Sequence, residues 1–495
     1  MSGPSGSPAH PDLRHIRISS PSGSPAVRSR PKPSEAAHGG GAVIVTSRQA
    51  AARTVAVDPA AQLADLDAAF AAWWAERRGA ARLSVVPVPF RELPQWSFTR
   101  DGDLVHDSGR FFTVSGMRVR GPEGPGRDQP VIVQPEIGVL GLLIKDLDGE
   151  PHVLLQAKAE PGNIDGIQLS PTVQATRSNY TRVHRGGATR HLEHFTGPGR
   201  GRVLVDSLQS EQGAWFWRKH NRNMVVEPVG EVAEHPDFRW IALRTVRRLL
   251  RVDHLVNMDT RSVLGCLPPG PVPAGPVPPP GSAPAAPALT SWLIDAKQHC
   301  LLDARPIPLA DVGGWTRTET EIADVHERSF RIIAVRVEAG TREVRQWAQP
   351  LLAPRRPGLA VFLCRRTGGV PRVLVRARTE PGLGDFVELG PTVQWSDGTG
   401  PAVPEEAGPF DGSALTDDPA CVRFDAELSE EGGRFHRAAT RYRIIEADSG
   451  LSADGSQLPD DYRWLTPHQL HALVARGHHV NVQARSLLAC LASLP

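Results

Sequence analysis

Residues able to do chemistry gather in three stretches of this 495-residue chain. The densest runs from Gln156 to Asn179 (QAKAEPGNIDGIQLSPTVQATRSN) and continues into Tyr180, Arg182 and His184. Gln156, Lys158 and Glu160 are spaced two apart, so on a strand all three face one side. Such a face could simply be solvated sheet surface. Against that, the Pro161-Gly162 turn ends the strand directly after Glu160, and sites are commonly assembled at such termini from loops on a rigid scaffold. Glu160 could be a reacting carboxylate or a structural one that caps the turn, because Glu380-Pro381-Gly382 repeats it later in the chain.

The second stretch, Gln209 to Asn223 (QSEQGAWFWRKHNRN), mixes Glu211, Arg218, Lys219 and Arg222 with Trp215 and Trp217. Cations among large aromatics suit a nucleotide, since arginine forks pair with phosphate oxygens and an indole stacks on a base. The same pattern also suits an amphipathic strand pair with tryptophan in the core. The third stretch, His106-Asp-Ser-Gly-Arg-Phe-Phe112, offers His106 and Arg110. A lone loop histidine is either a proton carrier or a hydrogen-bonded surface residue.

The elements that must position these residues follow from periodicity. Leu63, Leu66, Phe70 and Trp73 fall on one helical face, with Asp58-Pro59 placed as N-cap and first helical residue. Apolar runs at Ile137–Ile144 and Val153–Leu155 flank Asp148-Gly149, a hairpin signal; Leu359–Leu363, Gly368-Gly369 and Val373–Val375 repeat the plan. Two short helices close each unit, around Ala242–Leu250 and Pro467–Ala475, then from Asn257 and Asn481 as N-caps. Strands followed by helices, around a mixed sheet, make an α+β fold.

Seven markers recur in one order about 215–224 residues apart. The Pro87–Phe90 segment leading to Trp96 returns as Pro306–Leu309 leading to Trp315, and Gln134-Pro135 as Gln349-Pro350. QAKAEPG (156–162) returns as RARTEPG (376–382), and LSPTVQ (169–174) as LGPTVQ (389–394). SEQGAWFWR (210–218) returns as SEEGGRFHR (429–437), FRW (238–240) as YRW (462–464), and VNMDTRSVLGCL (256–267) as VNVQARSLLACL (480–491). In the second copy Arg434 and His436 replace Trp215 and Trp217, while Arg437 and Arg441 match Arg218 and Arg222. Preserved order and spacing mark a tandem duplication.

Glycine (47) and proline (46) make up nearly a fifth of the chain and are unevenly spread. The expected organisation is a disordered tail at 1–50, a first repeat at 51–267, a Pro-rich linker at 268–289 and a second repeat at 290–495. Lys+Arg 56 against Asp+Glu 54 argues against binding nucleic acid by phosphate neutralisation. No apolar run approaches the roughly 18–20 residues of a membrane span, and the N-terminus carries no secretory signal, so a cytoplasmic protein is expected. Five scattered cysteines without CxxC spacing give no zinc site and no disulfide framework. No GxGxxG follows a strand, and GxxxxGK[ST], HExxH and GxSxG are all missing. SEQG and SEEG lack the carboxylate set of a Nudix hydrolase, so no metal site is expected.

Seven segments together resemble the NDP-hexose 2,3-dehydratases of deoxysugar and antibiotic biosynthesis. They are SGRFFTV (108–114), QPEIGVLGLLIK (134–145), QAKAEPGN (156–163), QLSPTVQATRSNYTRVHRG (168–186), LQSEQGAWF (208–216), NRNMVVE (221–227) and LVNMDTRSVLGCLP (255–268). The likeness runs from about Ala61 to the C-terminus. It implies two tandem Nudix-like α/β repeats per subunit, each a mixed sheet flanked by helices, in a homodimer without Nudix hydrolysis. A nucleotide-sugar site in each half is implied. Arg376 and Trp395-Ser-Asp-Gly398 depart from the family pattern, which points to the first half as the catalytic one.

The reaction so implied removes water across C2–C3 of an NDP-4-keto-6-deoxyhexose. The C4 ketone acidifies C3–H, a base removes that proton, donors hold the enolate, and an acid protonates the departing 2-hydroxyl. The enol collapses to a 3,4-diketo-2,6-dideoxy sugar, which a 3-ketoreductase or aminotransferase would consume, and no redox cofactor is needed. Lys158 or Arg177 would hold the enolate, and Glu160, His106 or Tyr180 would serve as acid or base. Arg182, Arg218 and Arg222 would take the pyrophosphate, and Trp215 or Tyr180 would lie against the base, thymine in a dTDP-linked substrate. Gln156, Asn179, Glu211 and Asn223 complete the expected sugar-nucleotide contacts. The alternatives are a non-catalytic nucleotide-sugar scaffold and a Nudix-like pyrophosphohydrolase.

Overall fold

The computed structural model describes residues 63–65, 67–121, 126–181, 187–268, 287–396, 410, 418–447 and 458–494. The expected tail, Asp58-Pro59 and all but the edges of the expected linker lie outside these residues. The helix Pro287–Gln298 starts inside the segment expected to be linker.

The fold is α+β, with four sheets that form two similar sets. In the first set a seven-stranded sheet runs in the order Arg202–Ser210, His220–Glu227, Gly138–Leu147, Glu150–Ala159, Phe238–Ala242, with Ile167–Ser170 and Val173–Ala175 on its inner strands. It is mixed, because His220–Glu227 runs parallel to Gly138–Leu147 while the other pairings are antiparallel. The second half repeats it with Val422–Ser429, Ala439–Glu446, Gly358–Thr367, Val370–Thr379, Val387–Pro391, Val393–Trp395 and Tyr462–Leu465. The hairpin turns are those the sequence marks: Asp148 (φ 55°) with Gly149 (φ 82°), and Gly368 (φ 58°) with Gly369 (φ 79°). Two successive positive φ values match the right-handed twist of the flanking strands, and glycine adopts them without a Cβ clash.

The smaller sheets exchange strands. Ser84–Val88, from the first half, pairs antiparallel with Arg331–Glu338 of the second. Its counterpart Asp303–Ile307 pairs antiparallel with Thr113–Arg120 of the first. Each half therefore completes the other's sheet. The largest apolar cluster likewise draws on both halves, from Phe70 and Leu155 to Phe362 and Leu488.

Asn257 and Asn481 cap the closing helices Met258–Leu264 and Val482–Leu491, their Oδ1 atoms accepting from Thr260 N (2.9 Å) and Ala484 N (3.0 Å). These helices meet between the halves, and a Cβ on Gly265 would stand 2.3 Å from Arg485 O. From them, two fully buried arginines reach across. Arg261 donates to Val256 O (2.7 Å) and Ser429 O (2.8 Å); Arg485 donates to Val480 O (2.6 Å) and Ser210 O (2.6 Å). Buried guanidinium groups are tolerable only when their donors are taken, as here.

Two expectations need correcting. The opening helix is Ala68–Ala81, capped by Asp67, whose Oδ1 accepts from Phe70 N at 2.9 Å. Its buried face is Phe70, Trp74 and Ala81, whereas the Trp73 indole donates to Pro236 O at the rim. The second concerns the repeat. Register makes Gln129-Pro130 the counterpart of Gln349-Pro350, because Pro130 lies opposite Gly116 as Pro350 lies opposite Ala334. Gln129 and Gln349 each donate at 2.7 Å, to Ala214 O and Gly433 O. Gln134 has a different task, described below.

Candidate active site

A cavity of about 720 Å³ opens where the first large sheet meets loops from the second half. Its floor is built outward from a helix cap. Asn257, having capped its helix with Oδ1, donates from Nδ2 to Gln174 Oε1 at 3.0 Å. Gln174 is thereby oriented so that its Nε2 donates to both oxygens of Glu160, at 3.1 and 3.2 Å. Lys158, on the same strand face, donates to Gln174 O at 2.9 Å and lies 3.5 Å from Glu160 Oε1. Both are about 95 % buried. Burial lowers the Lys158 pKa, opposed by the Glu160 charge. Arg342, from the second half, donates to Ala159 O at 3.2 Å and stands 3.7 Å from Glu160 Oε1.

On the opposite wall Glu211 accepts from Asn221 Nδ2 at 2.6 Å through Oε1, while its buried Oε2 has no hydrogen-bond partner among the described residues. Lys219 donates to Asn221 Oδ1 at 2.9 Å and to Glu136 O, and burial pulls its ammonium down to about 8. Asp259, in the first turn of the Asn257-capped helix, is raised well above the usual carboxylate range by burial and then by the Glu211, Glu431 and Glu160 charges. Glu431, from the second half, keeps part of its surface open to the cavity. Enclosure pushes its carboxyl up to about 7, with Arg434 opposing and Glu160 and Glu211 adding to the rise. Arg434 donates to Gln134 Oε1 at 3.1 Å and lies 4.3 Å over the Phe112 ring.

His106 stands at the cavity mouth, edge-on to Phe111 (4.5 Å) and Trp96 (5.3 Å). Ser108 N donates to its Nδ1 at 3.1 Å, so the neutral ring carries its proton on Nε2. Burial lowers its pKa, with Asp107 opposing. Two buried lysines, a group of enclosed carboxylates and a half-enclosed imidazole give a chamber able to move protons and hold an oxyanion.

Of the residues singled out from sequence, Lys158, Glu160, His106, Asn179, Glu211 and Lys219 line this cavity. Gln156, Arg177, Tyr180, Trp215, Arg218, Arg222 and Asn223 do not. Gln156 is paired between Ser170 and Phe238 in the sheet. Arg177 is exposed, and Tyr180 packs on the Leu143–Phe195 cluster. Trp215 is buried edge-on to Phe435 at 4.6 Å and borders a second cavity. Arg218 is exposed, 4.9 Å over Trp217. Arg222 is held bidentately by Asp206 at 2.7 and 2.5 Å, as Arg441 is by Asp425 at 2.8 and 2.5 Å. Asn223 is fully buried, 3.5 Å from Ser262 Oγ. Arg182 lies outside the described residues.

Sequence reasoning passed over Gln174, Asn221, Asp259, Arg342, Glu431 and Arg434 as site residues. Asp259 and Glu431 sat within repeat markers, and their departure from the other copy (Gln483 and Gln212) was the available signal.

The second cavity, about 900 Å³, repeats the floor with Glu380, Gln394 and Asn481. It differs in chemistry. Arg378 stands where Lys158 does, and Arg376 is tied to Asp461 at 2.7 Å. Glu430, the counterpart of Glu211, has both oxygens occupied, by Gln212 (2.8 Å) and Tyr442 (2.9 Å).

A family model described as NDP-hexose 2,3-dehydratase matches residues 67–267 and again 286–491. Three relatives are each named dTDP-4-dehydro-6-deoxy-alpha-D-glucopyranose 2,3-dehydratase. The one from Saccharopolyspora spinosa is 46% identical over 445 residues, covering 86% of this chain and 91% of its own. That from Streptomyces violaceoruber is 48% identical over 439 residues, covering 86% and 97%. The Amycolatopsis orientalis protein is 45% identical over 429 residues, covering 85% and 89%.

Proposed function

The chain belongs to the NDP-hexose 2,3-dehydratase family, and on that footing we propose that its first cavity removes water across C2–C3 of a dTDP-4-keto-6-deoxyhexose. The observation that carries the reading is the set of proton-carrying groups facing one another there: Lys158 beside Glu160, and Glu431 near neutrality. Glu160, aligned by Gln174, takes the C3 proton. Lys158 and Lys219 hold the charge that develops on the enolate oxygen, inside a site where water does not dilute it. Glu431 or Asp259, protonated by its surroundings, protonates the departing 2-hydroxyl. Arg342 and Arg434, which line the cavity, would meet the diphosphate, a task for which guanidinium forks are suited. The scheme uses no hydride transfer and no redox cofactor.

Each half as a Nudix-like unit, a homodimeric assembly and a cytoplasmic setting belong to the same proposal. Among the described residues no helix is long and apolar enough to cross a membrane. The 3,4-diketone is reactive, so a 3-ketoreductase or aminotransferase would follow.

Incubation with dTDP-4-keto-6-deoxyglucose tests the reading. Loss of water, trapped as a reduced 2,6-dideoxy sugar by an added ketoreductase, supports it. Release of dTMP would instead mark a pyrophosphohydrolase, and unchanged substrate with measurable binding would mark a scaffold. Light scattering at twice 53.5 kDa would support the dimer.

A further inference from the structure

We propose that His191, Glu193 and His194 form a site for a borderline divalent metal, with Zn²⁺ the best fit. The cluster lies on the loop after the first cavity's rim residues Gly187 and Thr189, ahead of the fully buried Phe195. One ligand atom from each of the three residues lies within 4.8 Å of the others, and His194 Nε2 is 3.8 Å from Glu193 Oε1. Leu192–His194 is a 3₁₀ turn, whose three-residue period sets positions 191 and 194 on one edge. The two imidazoles accordingly stack with centroids 6.2 Å apart and ring planes 25° from parallel. A tetrahedral zinc site with bonds of about 2.0–2.1 Å needs ligand atoms roughly 3.4 Å apart, so small side-chain rotations would close it.

A second observation is independent of this spacing. His191 is 4% exposed, yet neither ring nitrogen has a hydrogen-bond partner among the described residues. Buried polar atoms are normally satisfied, and an orphaned imidazole beside a second imidazole and a carboxylate is what an empty metal site presents. One edge of the ring rests on Phe238 at 4.6 Å. Arg190 is the nearby cation that opposes a bound metal ion, and Glu193 offsets it. Two imidazoles and a carboxylate select Zn²⁺, Co²⁺ or Ni²⁺ over Mg²⁺ or Ca²⁺, and three protein ligands leave a position for water. The corresponding segment of the second half, residues 397–417, contains no histidine.

The test is calorimetric titration of chelator-treated full-length protein with ZnCl₂, beside the His191→Ala/His194→Ala double variant. Wild type should take up one equivalent more than the double variant, and Co²⁺ should give tetrahedral absorption bands only in wild type. Equal uptake and affinity in both proteins, meaning zinc held only by other histidines, would overturn the proposal. Glu193→Gln guards against misfolding: Glu193 is exposed, so the variant should fold normally and bind Zn²⁺ at least about tenfold more weakly. Unchanged affinity in that variant would also count against the site.

Discussion

Gly162 sits so close to Phe435 that a Cβ on it would stand 1.7 Å from the Phe435 carbonyl oxygen, and Gly382 repeats the contact on Phe216 at 1.8 Å. Each Glu-Pro-Gly turn lies under the SEQG or SEEG turn of the other half. Gly162 N donates to Gly432 O at 2.7 Å and Arg437 N to Gly162 O at 2.8 Å; Gly382 and Arg218 mirror this at 2.8 and 2.7 Å. The turn that ends the Lys158–Glu160 strand is therefore locked from across the seam.

Gly162→Ala should separate that seam and displace Glu160. A backbone oxygen cannot give way as a flexible side chain can, so the cost is at least the roughly 1–3 kcal/mol of an overpacked core. Gly384→Ala, whose Cβ meets nothing within 4 Å, is the control. Denaturant melts should show a large loss for the first and almost none for the second. Equal stability of the two would contradict the contact.

Glu431→Gln should lower kcat by about 10²–10⁴-fold, the usual worth of a positioned proton carrier. It should also remove the limb of the pH–rate profile set by a group near 7. Gln212 fills the matching position in the other copy, so the amide fits. Glu430→Gln leaves one acceptor oxygen where Gln212 and Tyr442 both donate, so it should lower Tm while leaving the profile's shape intact. A profile unchanged in Glu431→Gln would remove that residue from the mechanism.

Glu388 accepts from Ser210 Oγ of the first half at 2.6 Å, and burial pushes its carboxyl from 4.5 up to about 7. With the folded pKa raised, the group's favourable contribution is complete below about 4.5 and is lost as pH rises through about 7. The accumulated difference is of the order of 3 kcal/mol. Glu388→Gln, which copies Gln168 on Ser429 Oγ, should match wild type near pH 5 and exceed it near pH 8. The same offset in Tm at both pH values would argue that Glu388 does not titrate in this range.

Arg222→Ala should leave KM within about twofold and cost less than about 1 kcal/mol, because the arginine serves a half-exposed pair with Asp206. Arg434→Ala should raise KM well beyond that. Steady-state kinetics on the two variants separates a sheet-surface pair from a ligand-facing cation.

Local rules carried much of the architecture. The Asp148-Gly149 hairpin, the Asn257 and Asn481 caps and the duplication itself each depend on a few adjacent residues or on internal comparison. Lys158 and Glu160 were legible because strand alternation and a Pro-Gly stop fix both their face and their position. Strand exchange was not, since Ser84–Val88 and Asp303–Ile307 carry similar patterns and nothing local names their partner sheet. For the same reason Arg342, Glu431 and Arg434, which join the first cavity from some 180 residues or more away, left no local sign. Arg222 and Trp215 show the opposite error. A cation and an indole look alike in sequence whether they meet a nucleotide or, as here, Asp206 and Phe435.

The traded strands and crossed arginines are the contacts of a swapped dimer whose two chains have been joined end to end. Within such a chain, neither copy can be discarded when its own cavity drifts. The second half still lends the first an edge strand, a carboxylate and two guanidinium groups. Divergence at Arg376 and Trp395 is thus permitted where it touches only the second cavity, while the Gly432–Arg437 turn stays bound to the fortunes of the first. A gene shortened to either copy would forfeit both sites at once.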